Sequence, residues 1–124
     1  MFWLHSVSQV KWPPKIGEPL PRAEDAWYEW RKVEDWILCP AGHSSEWNKV
    51  FHVSLGEWEL LWSGLAEAII GSTITVVRDR RPNGITCGVK VELAMNDRRA
   101  PVKISWHYST RDSAPRLVTA YPSP

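Results

Sequence analysis

The spacing of the apolar residues changes character once along this chain, and the change falls at Gly71. Before it, Trp58, Leu61, Trp62, Leu65 and Ile69 recur at i, i+3, i+4, i+7 and i+11, the stripe of an amphipathic helix that Gly71 closes. After it, Ile85, Cys87, Val89, Val91 and Leu93 alternate with Thr86, Gly88, Lys90 and Glu92, as in a strand with one buried face. A chain of 124 residues has room for one core. A helical part followed by a strand part around that core makes an α+β fold, its N-terminal helices packed on one face of a four-stranded antiparallel sheet.

The other elements fill in this plan. Residues 1–22 hold Pro13, Pro14, Pro19 and Pro21 and read as an extended arm or linker, which leaves 23–124 as the folded domain. Residues 26–30 alternate weakly, as in a short strand. Residues 31–38 read as a helix that stops before Pro40, and Ser44 and Ser45 stand where they would cap a helix over 46–54 ended by Gly56. Strands are expected over 73–78, 85–93, 102–106 and 117–121, with turns at Arg81-Pro-Asn-Gly84 and Asn96-Asp97.

Composition removes several classes of function. The chain is 44% hydrophobic and 23% charged, the balance of a folded rather than a disordered protein. No apolar run reaches the roughly 18–20 residues that cross a bilayer, so no membrane partner is expected. The opening Met-Phe-Trp-Leu-His5 lacks the charged segment of a signal peptide, and Cys39 and Cys87 are too few for a disulfide framework, which makes the reduced cytoplasm the expected setting. There is no phosphate loop, no dinucleotide fingerprint, no Cys-x-x-Cys pair and no zinc spacing, so neither a cofactor nor a metal is expected.

Charge and tryptophan are unevenly spread. Residues 24–70 carry three basic side chains against nine acidic ones, whereas residues 71–124 carry nine basic against four acidic. A basic half on a protein of net charge +1 points to a polyanion such as RNA, with Arg80, Arg81, Arg98, Arg99, Lys103 and Arg111 as its contacts. Solvated hairpin tips are the competing account of the arginine pairs. Of the nine tryptophans, Trp58 and Trp62 have core spacing; Trp47 and Trp106 fit either a core or a stacking platform for bases.

Cleaving RNA needs a base for the 2′-hydroxyl proton, an acid for the leaving 5′-oxygen and cations for the phosphoryl charge. If Val102, Ile104 and Trp106 face the helices, Lys103, Ser105 and His107 face away; on the last strand Thr119 and Tyr121 share one face. Lys49 and His43 stand on the helical side. For any one of these residues an ordinary polar surface is the competing account.

Five stretches stand out: Leu20-Pro-Arg-Ala-Glu-Asp-Ala26, Arg31-Lys-Val33 with Trp36-Ile-Leu38, Gly42-His43, Lys49-Val-Phe51 with Leu55-Gly56, and Ala114-Pro-Arg-Leu-Val-Thr-Ala-Tyr121. Together they resemble an uncharacterised bacterial domain family found at the C-termini of polymorphic toxins and as stand-alone proteins. Helices before sheet and the closing Thr-Ala-Tyr-Pro also resemble the barnase, EndoU, colicin and RelE group of ribonuclease toxins. The resemblance implies a metal-independent endoribonuclease giving 2′,3′-cyclic phosphate ends, with a cognate antitoxin or immunity protein, delivered as the end of a larger secreted toxin. It gives roles to His43, Arg116, Thr119 and Tyr121. With them, His107 is expected as the acid–base counterpart of His43, and Lys49 with Arg116 as the phosphoryl cations. One departure stands out: Ser44-Ser-Glu-Trp-Asn48 occupies a segment that is richer in Lys and Arg in the family. The alternatives are a non-catalytic protein-interaction module, suited to the acidic stretch, and an RNA-binding domain without cleavage.

Overall fold

The computed structural model describes residues 12–39 and 42–123. Three helices precede a sheet among these residues: α1 (Trp30–Lys32), which runs on into a π-helical turn (Val33–Ile37), α2 (Ser44–Phe51) and α3 (Trp58–Ala68). The strands are β1 (Ile74–Asp79), β2 (Ile85–Met95), β3 (Arg98–Tyr108) and β4 (Arg116–Pro122), ordered β1-β2-β3-β4 and antiparallel throughout. This is the α+β architecture that the change of spacing at Gly71 predicts.

One face of the sheet is buried by the helices. Ile85, Cys87, Val89, Val91 and Leu93 of β2 and Val102, Ile104 and Trp106 of β3 join Trp47, Phe51, Trp58, Leu61 and Leu65 in a single core. Trp47, Trp58 and Trp106 are essentially inaccessible, so they serve as packing and not as platforms for bases. The Trp47 indole Nε1–H donates to the Ala120 carbonyl across 3.1 Å and ties α2 to the last strand. Burial also pushes the Cys87 thiol up to about 11, so this core cysteine stays protonated and inert.

Several boundaries differ from those expected. Helix α2 begins at Ser44 and has His43, rather than a serine, at its N-cap. It ends before Gly56, because His52 takes the left-handed conformation (φ 57°) and its amide bonds back to the Asn48 carbonyl. The short strand expected over 26–30 reduces to a parallel bridge between Trp27 and Arg116, since Trp30 already starts α1.

The expected arm lies outside the described residues as far as residue 11. Its remainder is bound to the domain: Gly17, Glu18 and Leu20 exchange backbone hydrogen bonds with Ser72 and Ile74, and Leu20 is buried. The Tyr108 hydroxyl donates to the Pro21 carbonyl. Prolines exclude a regular element here but still permit an extended segment to lie along a sheet edge.

The Trp47 contact carries the first prediction. Trp47→Ala removes a buried indole and its bond to β4, and is expected to cost about 3–5 kcal/mol, read as a lower midpoint in urea unfolding.

Candidate functional site

The face of the sheet away from the helices is a polar surface arranged in rows. Cross-strand pairing sets Arg78, Thr86, His107 and Arg116 side by side in one row. The next holds Val76, Gly88, Ser105 and Thr119, and a third holds Lys90, Lys103 and Tyr121. Rows two residues apart lie roughly 6.7 Å from each other, so the outer two are about 13 Å apart. Gly88, at the centre, contributes no side chain, and a Cβ there would come within 3.2 Å of the Val76 Cβ. The resulting cleft of about 720 Å³ is lined by Arg78, Arg80, Lys90, Lys103, Thr119 and Tyr121, among others. That volume is ordinary for a ligand site.

Two irregularities in pairing make these rows possible. The β3–β4 register shifts between Ser105, which pairs with Thr119, and Trp106, which pairs with Leu117, leaving Val118 as the extra residue. Arg116 and Thr119 are three apart and would face opposite ways on a regular strand; the bulge brings them to one side. A similar shift between Ile74 and Val76 keeps Ile74 in the core and turns Val76 outward.

At the β4 rim the helical part reaches the sheet. The His43 ring stacks on Tyr121 with centroids 4.7 Å apart and planes 22° apart, and Trp36 meets His43 edge-on at 5.4 Å. His43 Nδ1–H donates to Glu46 Oε1 across 2.8 Å, which in the neutral ring puts the lone pair on Nε2. The loop is pinned by its backbone. The His43 amide donates to the Trp36 carbonyl at 3.1 Å, and a Cβ at position 42 would collide with that carbonyl, so only glycine lets the two segments meet.

The sequence-predicted residues therefore fall into separate groups. His43, Lys103, Thr119 and Tyr121 are brought to one end of the cleft. His107 is not brought to that end: it stands four residues along β3 from Lys103, about 13 Å away. Arg116 lies beside His107 and pairs with Glu29 at 3.7 Å. Lys49 also leaves the group, because it is exposed and set about 200° around α2 from the buried Trp47.

Among the arginines, Arg80 lines the cleft, whereas Arg81 is held by Asp79 through two nitrogens at the β1–β2 tip. The hydrogen bonds from Arg81 hold the Asp79 carboxyl below the usual carboxylate range. Arg98 and Arg99 are exposed beside the β2–β3 turn, at the opposite end from Arg80, and Arg111 is in the exposed β3–β4 loop. Arg78, Lys90, Thr86, Gly88 and Glu46 were not singled out by sequence reasoning as site residues. The polar half of the β2 alternation carried the signal for three of them.

Arg78, Arg80, Lys90 and Lys103 make no ion pair among the described residues. Nor do three His, Cys, Asp or Glu side chains converge there to hold a metal. No helix among the described residues is long and apolar enough to cross a membrane.

These features define an α+β domain with a cationic cleft on its open sheet face and a histidine at the rim. The chain belongs to the family described as a domain of unknown function, DUF6883, whose model matches residues 19–124. No curated protein and no solved structure matches it.

The half-buried His107 gives a pH prediction. Burial first, and then the Arg116 guanidinium, lower its pKa below the ordinary value. The folded protein thus holds this proton less tightly than the unfolded chain. The associated stability is present above about pH 6.5 and is lost as the pH falls from there through the lowered value. The melting temperature is expected to drop between about pH 7 and pH 5, and to drop less in His107→Gln, as followed by circular dichroism.

Proposed function

We propose that this domain binds RNA in the open-face cleft and cuts it as a toxin-like, metal-independent endoribonuclease. The observation that carries the reading is the His43–Glu46 pair stacked on Tyr121 at the rim of a cleft whose cations make no ion pair among the described residues. Unpaired cations side by side suit a phosphate backbone. A histidine whose Nδ1 is occupied by a carboxylate keeps Nε2 free to act as a base.

In this reading His43 Nε2 takes the proton of a 2′-hydroxyl, and the 2′-oxygen attacks the adjacent phosphorus. The bond from phosphorus to the 5′-oxygen breaks, leaving a 2′,3′-cyclic phosphate, and the 5′-oxygen takes a proton from solvent. The cleft cations hold the charge that builds on the phosphoryl oxygens. Tyr121 fixes the His43 ring by stacking, and Thr119 belongs to the cleft floor. The setting is the cytoplasm of a target cell, reached as the C-terminal part of a larger secreted toxin and neutralised by a cognate antitoxin or immunity protein.

A second reading is a non-catalytic protein-interaction module. Trp27, Trp30 and Trp36 are 46%, 47% and 44% exposed, in the stretch where acidic residues outnumber basic ones nine to three. An adaptor of this kind would leave RNA intact and would not arrest growth when expressed alone.

The deciding experiment is incubation with total RNA and tRNA in EDTA. Discrete cleavage is expected, with His43→Ala slower by roughly 10²–10⁴-fold and His107→Ala within a few fold of wild type. Intact RNA at high protein concentration would select the interaction module, and salt-dependent binding without cleavage would select an RNA-binding domain.

A further inference from the structure

Lys90 and Lys103 are direct cross-strand partners on the open face of the sheet. Like charges placed opposite each other in a ladder are destabilising, and here neither ammonium has an acidic partner within ion-pair distance among the described residues. Glu92, on the same face, sits in the next row opposite Pro101. The third member of the lysine row is Tyr121, opposite Lys103, and its ring is held by the His43 stack. All three side chains line the cleft. Two lysines and a tyrosine side by side in one row, with no acidic ion-pair partner among the described residues, form a set of hydrogen-bond donors with a formal charge of +2, which matches a doubly charged oxyanion.

We propose that Lys90, Lys103 and Tyr121 form a seat for a doubly charged phosphoryl group. This deepens the RNA reading by giving the phosphate its place, yet the seat can be tested without any cleavage. Two sources share the chemistry. One is a terminal phosphate monoester, which carries about −1.5 to −2 charges near pH 7. The other is the phosphoryl group of a diester under attack, whose charge rises as the 2′-oxygen adds.

The test compares thermal stability in inorganic phosphate with that in chloride at equal ionic strength. Wild type is expected to be more stable in phosphate. Lys90→Met is expected to start at an equal or higher melting temperature, because the cross-strand repulsion is gone, and to bind phosphate roughly tenfold or more weakly. Lys103→Met serves as the second variant, and Lys49→Met, on the far side of α2, as a control that keeps the response. No phosphate-specific gain in wild type, or a gain that persists in both cleft variants, overturns the proposal.

Two further arms separate the sources, using 2′-O-methyl RNA that cannot be cut by its own hydroxyl. Tighter binding of a 5′-phosphorylated strand than of the same strand with a 5′-hydroxyl assigns the seat to a terminal monoester. Equal binding, with inorganic phosphate competing against RNA cleavage, assigns it to the reacting phosphate. A phosphate effect on a protein that never cuts RNA would leave the seat standing and remove the ribonuclease; cleavage without any phosphate effect would do the reverse.

Discussion

The hydrogen bond from the Trp47 indole to the Ala120 carbonyl is made inside the core, where neither group can turn to water instead. It fixes α2 against β4, and the register of β4 decides what the open face presents. The bulge at Val118 lies two residues from that bond. Together they place Arg116, Thr119 and Tyr121 on the outer face while Leu117 and Ala120 remain buried. The same helix has His43 at its N-cap, so the packing that sets the strand also carries the histidine to the rim.

This arrangement divides labour between the two faces of one sheet. The inner face takes the large apolar side chains, including three buried tryptophans, and supplies the stability. The outer face is free of that demand and gathers lysine, arginine, serine and threonine around a glycine floor. Cations without an ion pair among the described residues, and an opposed lysine pair, weaken a sheet slightly. That cost falls on the surface whose proposed role is to meet an anion.

Much of the fold was legible in the sequence because helix and strand periods differ and each is sustained here. Helix α3 follows from the spacing of Trp58–Ile69, and the four strands from the segments at 73–78, 85–93, 102–106 and 117–121. What escaped was set by tertiary contact. His52 ends α2 in a conformation more typical of glycine, and Gly17–Leu20 follow the sheet edge without any strand pattern. Of the candidate site, His43, Lys103, Thr119 and Tyr121 were legible as residues, whereas Lys90 and Arg78 were missed and the arrangement was not visible. Alternation put Lys103 and His107 on one face four residues apart, but it could not show that His43 would join Tyr121 at the Lys103 end. A bulge has no clear mark in a single sequence, so the shared face of Arg116 and Thr119 was hidden, as was the pairing of Lys90 with Lys103.

The short extended pieces that meet the outer strands have a consequence for assembly. Residues 17–20 bond to Ser72 and Ile74 at the start of β1, and Trp27 bonds to Pro115 and Leu117 where β4 begins. Each borders a strand that would otherwise start with unmatched amide and carbonyl groups, the template on which a neighbouring chain can extend a sheet. With those ends occupied, strand-by-strand growth between copies is hindered where it would most easily start. The recognition proposed for the broad face would then rest on side chains, a matter of charge and shape rather than of backbone pairing.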